Sequence, residues 1–308
     1  MILAEANIFT KLHFRMLERT SPKASARKAL KLWLTPGKYK PGAPERLTLE
    51  QATVRRILFK DSPYQASPET YYTSYTWGSG PTVLLVHDWG GSAAQVAALA
   101  RPLVQAGFRV VAFDALAHGD SPGKRTDLVE FVDVIKNLHQ QFGPFYAVFA
   151  FSLGAVATVM ALQDGVRASR LVVAGAAASV DYYLKRFTQT IEVSRQTMGR
   201  ISTLINTRLE RNIKDFSIIN IVPNLNVPGL ILHDKHDEVV NYIEAIALSK
   251  LWPMSELHLT EGLGHRGMLR DHETILTIVS YLRRTGAPSN SAKEGPRIQS
   301  TGPPLAKK

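Results

Sequence analysis

The chain has 308 residues, enough for one large domain or two small ones, and its composition of 45% hydrophobic and 20% charged residues is that of a globular protein. It contains no cysteine, which excludes disulfides, thiolate nucleophiles and cysteine-ligated metal clusters. Its net charge of +11 is concentrated at the ends, because the first 60 residues hold 13 Lys and Arg against four Asp and Glu. The body of the chain is close to neutral, which argues against a nucleic-acid partner.

The beginning of the chain predicts helices at 8–17 and 24–34, followed by turn-rich sequence. We interpret residues 1–50 as a basic helical N-terminal extension whose lysines and arginines form a solvated helical face. Contact of this basic N-terminus with a membrane surface is the secondary alternative. Glu5 interrupts the first apolar residues and no basic region precedes them, so they do not form a secretory signal, and we expect a cytoplasmic protein.

The central part of the chain, 51–284, has the pattern of one domain. Two alternating runs at 54–59 and 71–77 predict an antiparallel strand pair. Short apolar runs and longer segments of helical period then alternate, which predicts a mostly parallel sheet with helices on both faces. The strands are expected at 83–86, 110–113, 146–151, 171–174, 230–232 and 257–259, and the helices at 93–105, 126–142, 153–163, 242–251 and 266–282.

Two segments depart from this alternation. Residues at about 180–227 have helical spacing and no clear strand, which predicts a helical insertion between two strands of the sheet. Residues 285–308 contain four prolines and no periodicity, which predicts a disordered tail.

A serine follows one of the buried strands. The sequence Ala150-Phe151-Ser152-Leu153-Gly154 places it between a strand and a buried helix, with small residues two positions before and after it. Small neighbours let the strand and the helix approach closely, so that the serine projects from a tight turn and the N–H of Leu153 can donate to an oxyanion. The pattern indicates a nucleophile elbow. The competing interpretation of Ser152 is an ordinary helix N-cap.

Three further polar groups follow other predicted strands. The loop from His87 to Ser92 can supply a second backbone donor, Asp237 lies shortly after the strand at 230–232, and His265 lies in a glycine-rich loop. Because the carboxyl ends of parallel strands meet at one edge of a sheet, we expect these groups to converge near Ser152. A neutral imidazole can accept the serine proton, and a carboxylate can fix the tautomer of that imidazole.

These motifs resemble those of the α/β-hydrolase superfamily, and the resemblance covers residues 82–283. Residues 113–123, FDALAHGDSPG, are similar to the family's D-x-x-G-H-G-x-S turn with Ala117 for its first glycine. Residues 262–266, GLGHR, are similar to the histidine loop of poorly characterised bacterial members. The resemblance implies an α/β-hydrolase fold with a mostly parallel central sheet, helices on both faces and a small helical cap.

The resemblance also assigns roles. It implies Ser152 as the nucleophile, His265 as the base and Asp237 as the acid, with the backbone N–H groups of Trp89 and Leu153 as the oxyanion hole. Two departures from the family pattern bear on activity. The first is Ala150, which replaces the first glycine of G-x-S-x-G and still allows close packing.

The second departure is Asp88, which stands where the family's His-Gly pair has glycine. A carboxylate facing the oxyanion hole would oppose the negative charge that develops in acyl transfer. We therefore expect Asp88 to turn away from the hole and to bond a backbone N–H.

Several titratable residues compete for the catalytic roles. They are Asp234, Glu238 and Asp181 for the acid, and His258 and His272 for the base. His233 and His236 suggest a metal site as a minor alternative, since catalytic zinc needs a fuller ligand set. His118 and Ser121 are expected to stabilise a turn.

The expected activity is that of a carboxylesterase-like serine hydrolase, which cleaves esters or related acyl compounds through an acyl-Ser152 intermediate and needs no metal or organic cofactor. The expected partner is a small, partly apolar acyl substrate, contacted by cap residues among Tyr182, Tyr183, Phe187 and Met198. Thioesterase, lactonase and acyltransferase activities use the same triad and stay open. A non-catalytic ligand-binding protein disabled by Asp88 is the alternative from another class.

Overall fold

A computed structural model describes residues 6–59, 64, 70–209 and 212–284, without the side chain of Leu209. Its strands form one eight-stranded sheet in the order β1-β2-β4-β3-β5-β6-β7-β8. They are β1 (Thr53–Leu58), β2 (Tyr71–Trp77), β3 (Thr82–Val86), β4 (Arg109–Asp114), β5 (Ala147–Phe151), β6 (Leu171–Ala174), β7 (Gly229–Asp234) and β8 (Ser255–Thr260). β2 pairs antiparallel with β1 and β4, and the neighbours from β4 to β8 are parallel.

The α-helices are α1 (Ile8–Thr20), α2 (Pro22–Trp33), α3 (Ala43–Glu50), α4 (Ala93–Val96), α5 (Ala100–Gln105), α6 (Leu128–Phe142), α7 (Leu153–Gln163), α8 (Val180–Thr190), α9 (Arg195–Leu209), α10 (Ile218–Ile221), α11 (Ile243–Leu251), α12 (Gly264–Gly267) and α13 (His272–Arg283). Short 3₁₀ helices lie at Ala97–Leu99, Ile213–Asp215 and Val222–Asn224. The segment between β6 and β7 carries α8, α9 and α10, and we call it the cap.

The predicted mostly parallel sheet with helices on both faces is confirmed. Alternate residues of β3 enter two separate apolar clusters, with Leu84 packing among α6, α7 and the cap and Leu85 packing against α5 and α13. The sheet is therefore covered on both sides, which explains why its inner strands are continuous apolar runs. Among the described helices, none is long and apolar enough to cross a membrane.

Two predicted helices are interrupted in the structure. The helix expected at 93–105 divides into α4, a 3₁₀ turn and α5, where Pro102 stands in the first turn of α5 and has no N–H to continue the earlier helix. The helix expected at 266–282 divides into α12 and α13, because the Asp271 side chain accepts the Thr274 N–H and starts a new helix. The prediction of a disordered tail at 285–308 falls outside the described residues.

The N-terminal helices are docked on the cap. Phe14 of α1 and Ala29 of α2 are buried in the same apolar cluster as the sheet, and Trp33 packs on the Phe187 ring with 5.2 Å between ring centroids. The Glu18 carboxylate accepts the Ser194 N–H at 2.9 Å. Lys11 and Arg15 both pair with Glu192 of the cap, at 3.3 and 2.5 Å. These two cations contact the cap, where the sequence predicted only a solvated face.

Substitution of Phe14 tests this docking. Phe14 is 2% exposed, whereas Phe9 on the same helix is 79% exposed. We expect Phe14→Ala to lower the free energy of unfolding by about 3–5 kcal/mol, since a buried ring is lost, and Phe9→Ala to change it by less than about 0.5 kcal/mol. Urea unfolding measures both variants, and equal effects would contradict the docked arrangement.

Two buried histidines support the loop that follows β3. His87 donates from Nδ1 to the Asp88 carbonyl at 2.7 Å and accepts the Ala115 N–H at Nε2. His118 accepts the Gly90 N–H at Nε2 and contacts the Trp89 ring edge-on. Burial lowers the pKa of His87 to about 4 and that of His118 well below its usual value, so both rings are neutral at pH 7.

The neutral state of His87 makes stability depend on pH. The pKa of His87 is near 4 in the folded state and near 6.5 in the unfolded state. The stability that the neutral ring contributes to the folded state is therefore complete above pH 6.5 and is lost as the pH falls toward 4. Relative to His87→Asn, whose amide cannot charge, the wild type should lose roughly 2–3 kcal/mol of unfolding free energy between pH 7 and pH 4.5. Chemical denaturation at the two pH values measures this difference, and parallel pH profiles would refute it.

Candidate functional site

The strand-to-helix turn after β5 holds Ser152 in an unusual backbone conformation. Its φ is 54° and its ψ is −124°, a region that L residues rarely adopt. The turn is tight because α7 begins against the loop after β3, so that a Cβ at Gly154 would lie 2.3 Å from the His87 carbonyl oxygen. The Ser152 side chain caps nothing, which removes the N-cap interpretation. Strain of this kind persists where the surrounding structure enforces it.

His265 and Asp237 are hydrogen-bonded to each other at the carboxyl edge of the sheet. His265 Nδ1 lies 2.7 Å from Asp237 Oδ2. An ionised carboxylate only accepts, so Nδ1 carries the proton and Nε2 presents a lone pair. Both side chains are buried, as the exposed fractions of 8% for His265 and 9% for Asp237 show. The structure therefore brings together the two residues that the sequence offers as base and acid.

Asp237 is held as a carboxylate by several donors. The N–H groups of Val239 and Val240 donate to Oδ1 at 2.8 Å, and His233 Nε2 lies 3.2 Å from Oδ2. Burial alone would raise the pKa of Asp237, but the hydrogen bonds from His233, His265 and the backbone outweigh it and hold that pKa far below its usual range. Asp237 is therefore charged at any working pH.

Asp234 stabilises the histidine loop and is not the partner of His265. Its carboxylate accepts the N–H groups of His236, Leu263 and Gly264 and the Thr260 hydroxyl, and so it fixes the loop that carries His265. The other titratable candidates also lie outside the pair of His265 and Asp237. Glu238 and His236 are not buried. Asp181 lies in the first turn of α8, His258 lies within β8, and His272 begins α13.

Ser152 and His265 are at the same end of the sheet, yet no hydrogen bond joins them. The His265 ring packs on Phe151, the neighbour of Ser152, with ring centroids 4.7 Å apart. Gly175, which follows β6 at φ 59°, lies so close that a Cβ there would be 3.2 Å from the imidazole. Among the described residues, Ser152 Oγ and His265 Nε2 are both buried and both lack a partner. A hydroxyl donor and an imidazole acceptor are thus left available.

The backbone donors expected to form the oxyanion hole converge on one atom. The N–H of Trp89 lies 2.6 Å from Asp88 Oδ1, and the N–H of Leu153 lies 3.3 Å from the same oxygen. A position that two N–H groups share is suited to a negatively charged oxygen. The Asp88 carboxylate occupies this position. The expectation that Asp88 turns away is therefore wrong, although the side chain does bond backbone N–H groups as expected.

The backbone of Asp88 is fixed from both sides. Its N–H donates to Gln95 Oε1 at 3.0 Å, and its carbonyl accepts from His87. Only rotation of the side chain can therefore move the carboxylate out of the hole. The sequence offered no signal for Gln95, which lies on α4 and contacts the site through a side-chain amide.

The cap reaches the site through Tyr183. This side chain is 2% exposed, and its hydroxyl accepts the Ala177 N–H at 3.0 Å. Burial raises the pKa of Tyr183, and the charges of Asp88 and Asp237 raise it further. The Ala177 N–H and the nearby Ser152 hydroxyl lower it by less, so the phenol is neutral at pH 7. Tyr183 therefore lies at the site as an uncharged group.

His118 and Ser121 have the structural roles that the sequence predicts. His118 supports the Trp89 loop, and the Ser121 hydroxyl donates to the Asp114 carbonyl at 2.6 Å while accepting the Thr73 N–H. Within the described ranges, no group of three or more His, Cys, Asp or Glu side chains could hold a metal ion.

Comparisons with known proteins agree with this architecture. The family model described as "Serine aminopeptidase, S33" matches residues 80–217. Among curated proteins, none matches this chain. An esterase of Exiguobacterium antarcticum is similar in structure, with a TM-score of 0.57 and 21% identity over 74% of this chain and 99% of its own.

Two further solved structures have the same fold. An esterase of Pyrococcus furiosus gives a TM-score of 0.59 at 19% identity, over 81% of this chain and 97% of its own. A thioesterase domain from the curacin biosynthetic pathway gives 0.56 at 15% identity, over 75% of this chain and 98% of its own. Together with the sheet order, these likenesses show that the chain has the α/β-hydrolase fold.

Proposed function

We propose that the protein is a serine hydrolase that cleaves carboxylic esters or related acyl compounds through an acyl-Ser152 intermediate. The observation that carries the proposal is a pair of buried polar atoms without partners, Ser152 Oγ and His265 Nε2, beside two N–H groups that converge on one oxygen. Unsatisfied buried polar atoms are costly and persist where a reaction uses them. The printed names of the structural neighbours, two esterases and a thioesterase domain, agree with acyl chemistry.

The geometry supports the following sequence of steps. His265 Nε2 takes the proton of Ser152 as Oγ attacks the substrate carbonyl carbon, and Asp237 stabilises the imidazolium. The carbonyl oxygen becomes an oxyanion between the N–H groups of Trp89 and Leu153. His265 then protonates the leaving oxygen, which breaks the ester bond and leaves the acyl group on Ser152. A water molecule, deprotonated by His265, releases the acid and restores Ser152.

Asp88 sets a condition on this reaction. Its carboxylate fills the position that the oxyanion needs, and two negative oxygens cannot share one pair of donors. The side chain must therefore rotate away when a substrate carbonyl enters. Each turnover includes this displacement, which lowers the rate relative to an open hole.

Labelling with a fluorophosphonate tests the nucleophile. We expect the wild type to be labelled on Ser152, and labelling to fall by at least about a thousandfold in Ser152→Ala and in His265→Ala, since both remove the activated alkoxide. His258→Ala, which changes a histidine within β8, is the control and should be labelled at the wild-type rate. Intact-mass spectrometry follows the adduct. A folded wild type that stays unlabelled would refute the proposal.

A non-catalytic ligand-binding protein is the second candidate, and the position of Asp88 favours it specifically. If the Asp88 carboxylate stays in the oxyanion hole, the N–H groups of Trp89 and Leu153 cannot stabilise an oxyanion, and the site can bind a ligand without reacting with it. The two candidates differ in whether the wild type reacts at all.

Removal of the Asp88 carboxylate measures its effect on turnover. We expect Asp88→Gly to raise kcat toward p-nitrophenyl butyrate by about tenfold or more, since a freed pair of N–H donors contributes several kcal/mol to the transition state. Asp88→Asn should give a smaller rise, because the amide is neutral but still fills the hole. Glu238→Gln removes an exposed carboxylate from the acid loop and should leave kcat unchanged. An unchanged kcat in Asp88→Gly would show that the carboxylate does not obstruct the reaction.

A further inference from the structure

An apolar cavity of about 490 Å³, including the mouth that opens to solvent, lies beside the oxyanion-hole donors. The cavity is lined by Leu30, Trp33, Leu34, Trp89, Asp127, Leu128, Leu153, Val180, Ile205, Arg208, Ile213 and Phe216.

The cavity borders the candidate site at Trp89 and Leu153, and Ser152 and Asp88 are not among its lining residues. Trp89 and Leu153, whose N–H groups form the hole, both line it, whereas His265 and Asp237 do not. A leaving group must lie against the imidazole that protonates it, and the acyl group extends to the other side of the carbonyl carbon. The cavity is therefore on the acyl side of the site.

The N-terminal extension supplies one wall of this cavity. Leu30 and Trp33 project from α2, and Leu34 follows that helix, all outside the region 80–217 that matches the family model. Trp33 is held in place by its contact with Phe187, and Leu34 is 6% exposed. The extension thus forms part of the cavity wall.

The opposite wall comes from the cap, through side chains other than those expected. Val180, Ile205, Ile213 and Phe216 line the cavity, and none of the cap candidates Tyr182, Tyr183, Phe187 and Met198 does. At one end, Asp127 and Arg208 are joined through the Tyr64 hydroxyl, at 2.5 Å to each. These polar groups pair with one another, so the surface offered to a ligand is mainly aliphatic and aromatic.

We propose that this cavity binds the acyl chain of the substrate, and that α2 of the N-terminal extension determines how long a chain is accepted. The inference rests on the proposed hydrolase function. It names the substrate class as esters or thioesters of apolar acyl chains of intermediate length. Burial of each methylene strengthens binding by about fourfold, so chains that fill the cavity are favoured over acetyl groups.

Variants of α2 test the chain-length preference with p-nitrophenyl acetate, butyrate, octanoate and palmitate. Leu30→Phe fills the cavity and should lower kcat/KM for octanoate by about tenfold while leaving acetate unchanged, because one methylene is worth about 10–200-fold in an apolar pocket. Trp33→Ala enlarges the cavity and should shift the preference toward palmitate. Leu32→Ala, on the same helix and 37% exposed, is the matched control with the wild-type profile. Identical profiles in all variants would overturn the inference.

A binding measurement separates this inference from the proposed function. Calorimetric titration of the Ser152→Ala protein with octanamide, an uncharged acyl analogue, needs no catalysis. We expect binding that Leu30→Phe weakens by about tenfold and Leu32→Ala does not. Both substitutions are made in the Ser152→Ala protein. Absence of octanamide binding, or equal binding by the Leu30→Phe and Leu32→Ala double variants, would overturn the cavity assignment even if the fluorophosphonate labels Ser152 in the wild type. Absent labelling would overturn the function, whatever octanamide does.

Discussion

The close approach of α7 to the loop after β3 is the constraint on which the candidate site depends. Because Gly154 has no Cβ, the first turn of α7 can lie against the His87 carbonyl. This contact forces Ser152 into its strained turn and brings the Leu153 N–H next to the Trp89 N–H. The proposed nucleophile and the proposed oxyanion donors are thus positioned by one packing contact between a helix and a loop.

The same constraint explains the importance of Asp88. Its backbone is locked by Gln95 and His87, so the carboxylate can reach only a small volume, and the two converging N–H groups lie within it. Neutral His87 and His118 keep the loop in place without adding positive charge. The ionised Asp237 lies on the other side of His265 and orients the imidazole. The site therefore combines a hydroxyl, an imidazole, a carboxylate and two converging N–H groups with the Asp88 carboxylate between those N–H groups.

Strand-end motifs in the sequence were sufficient to predict the parallel sheet and the residues that gather at its carboxyl edge. Ser152, Asp237 and His265 each follow a short apolar run, and strand direction alone brings such residues together. The side-chain torsion of Asp88 was not predictable, because it depends on two donors, one on the next residue and one at the start of α7, far away in the sequence. The docking of α1 and α2 was also missed, since Phe14, Glu18 and Trp33 find partners only in the folded cap. For the same reason the sequence indicated the cap as a cavity wall but not which of its faces points inward.

The most direct measurement is a crystal structure of the wild type after reaction with a fluorophosphonate. We expect a phosphorus atom bonded to Ser152 Oγ, a phosphoryl oxygen within hydrogen-bond distance of the Trp89 and Leu153 N–H groups, and the Asp88 carboxylate rotated out of that position. An adduct on another residue, or a phosphoryl oxygen directed elsewhere while Asp88 keeps both bonds, would contradict it.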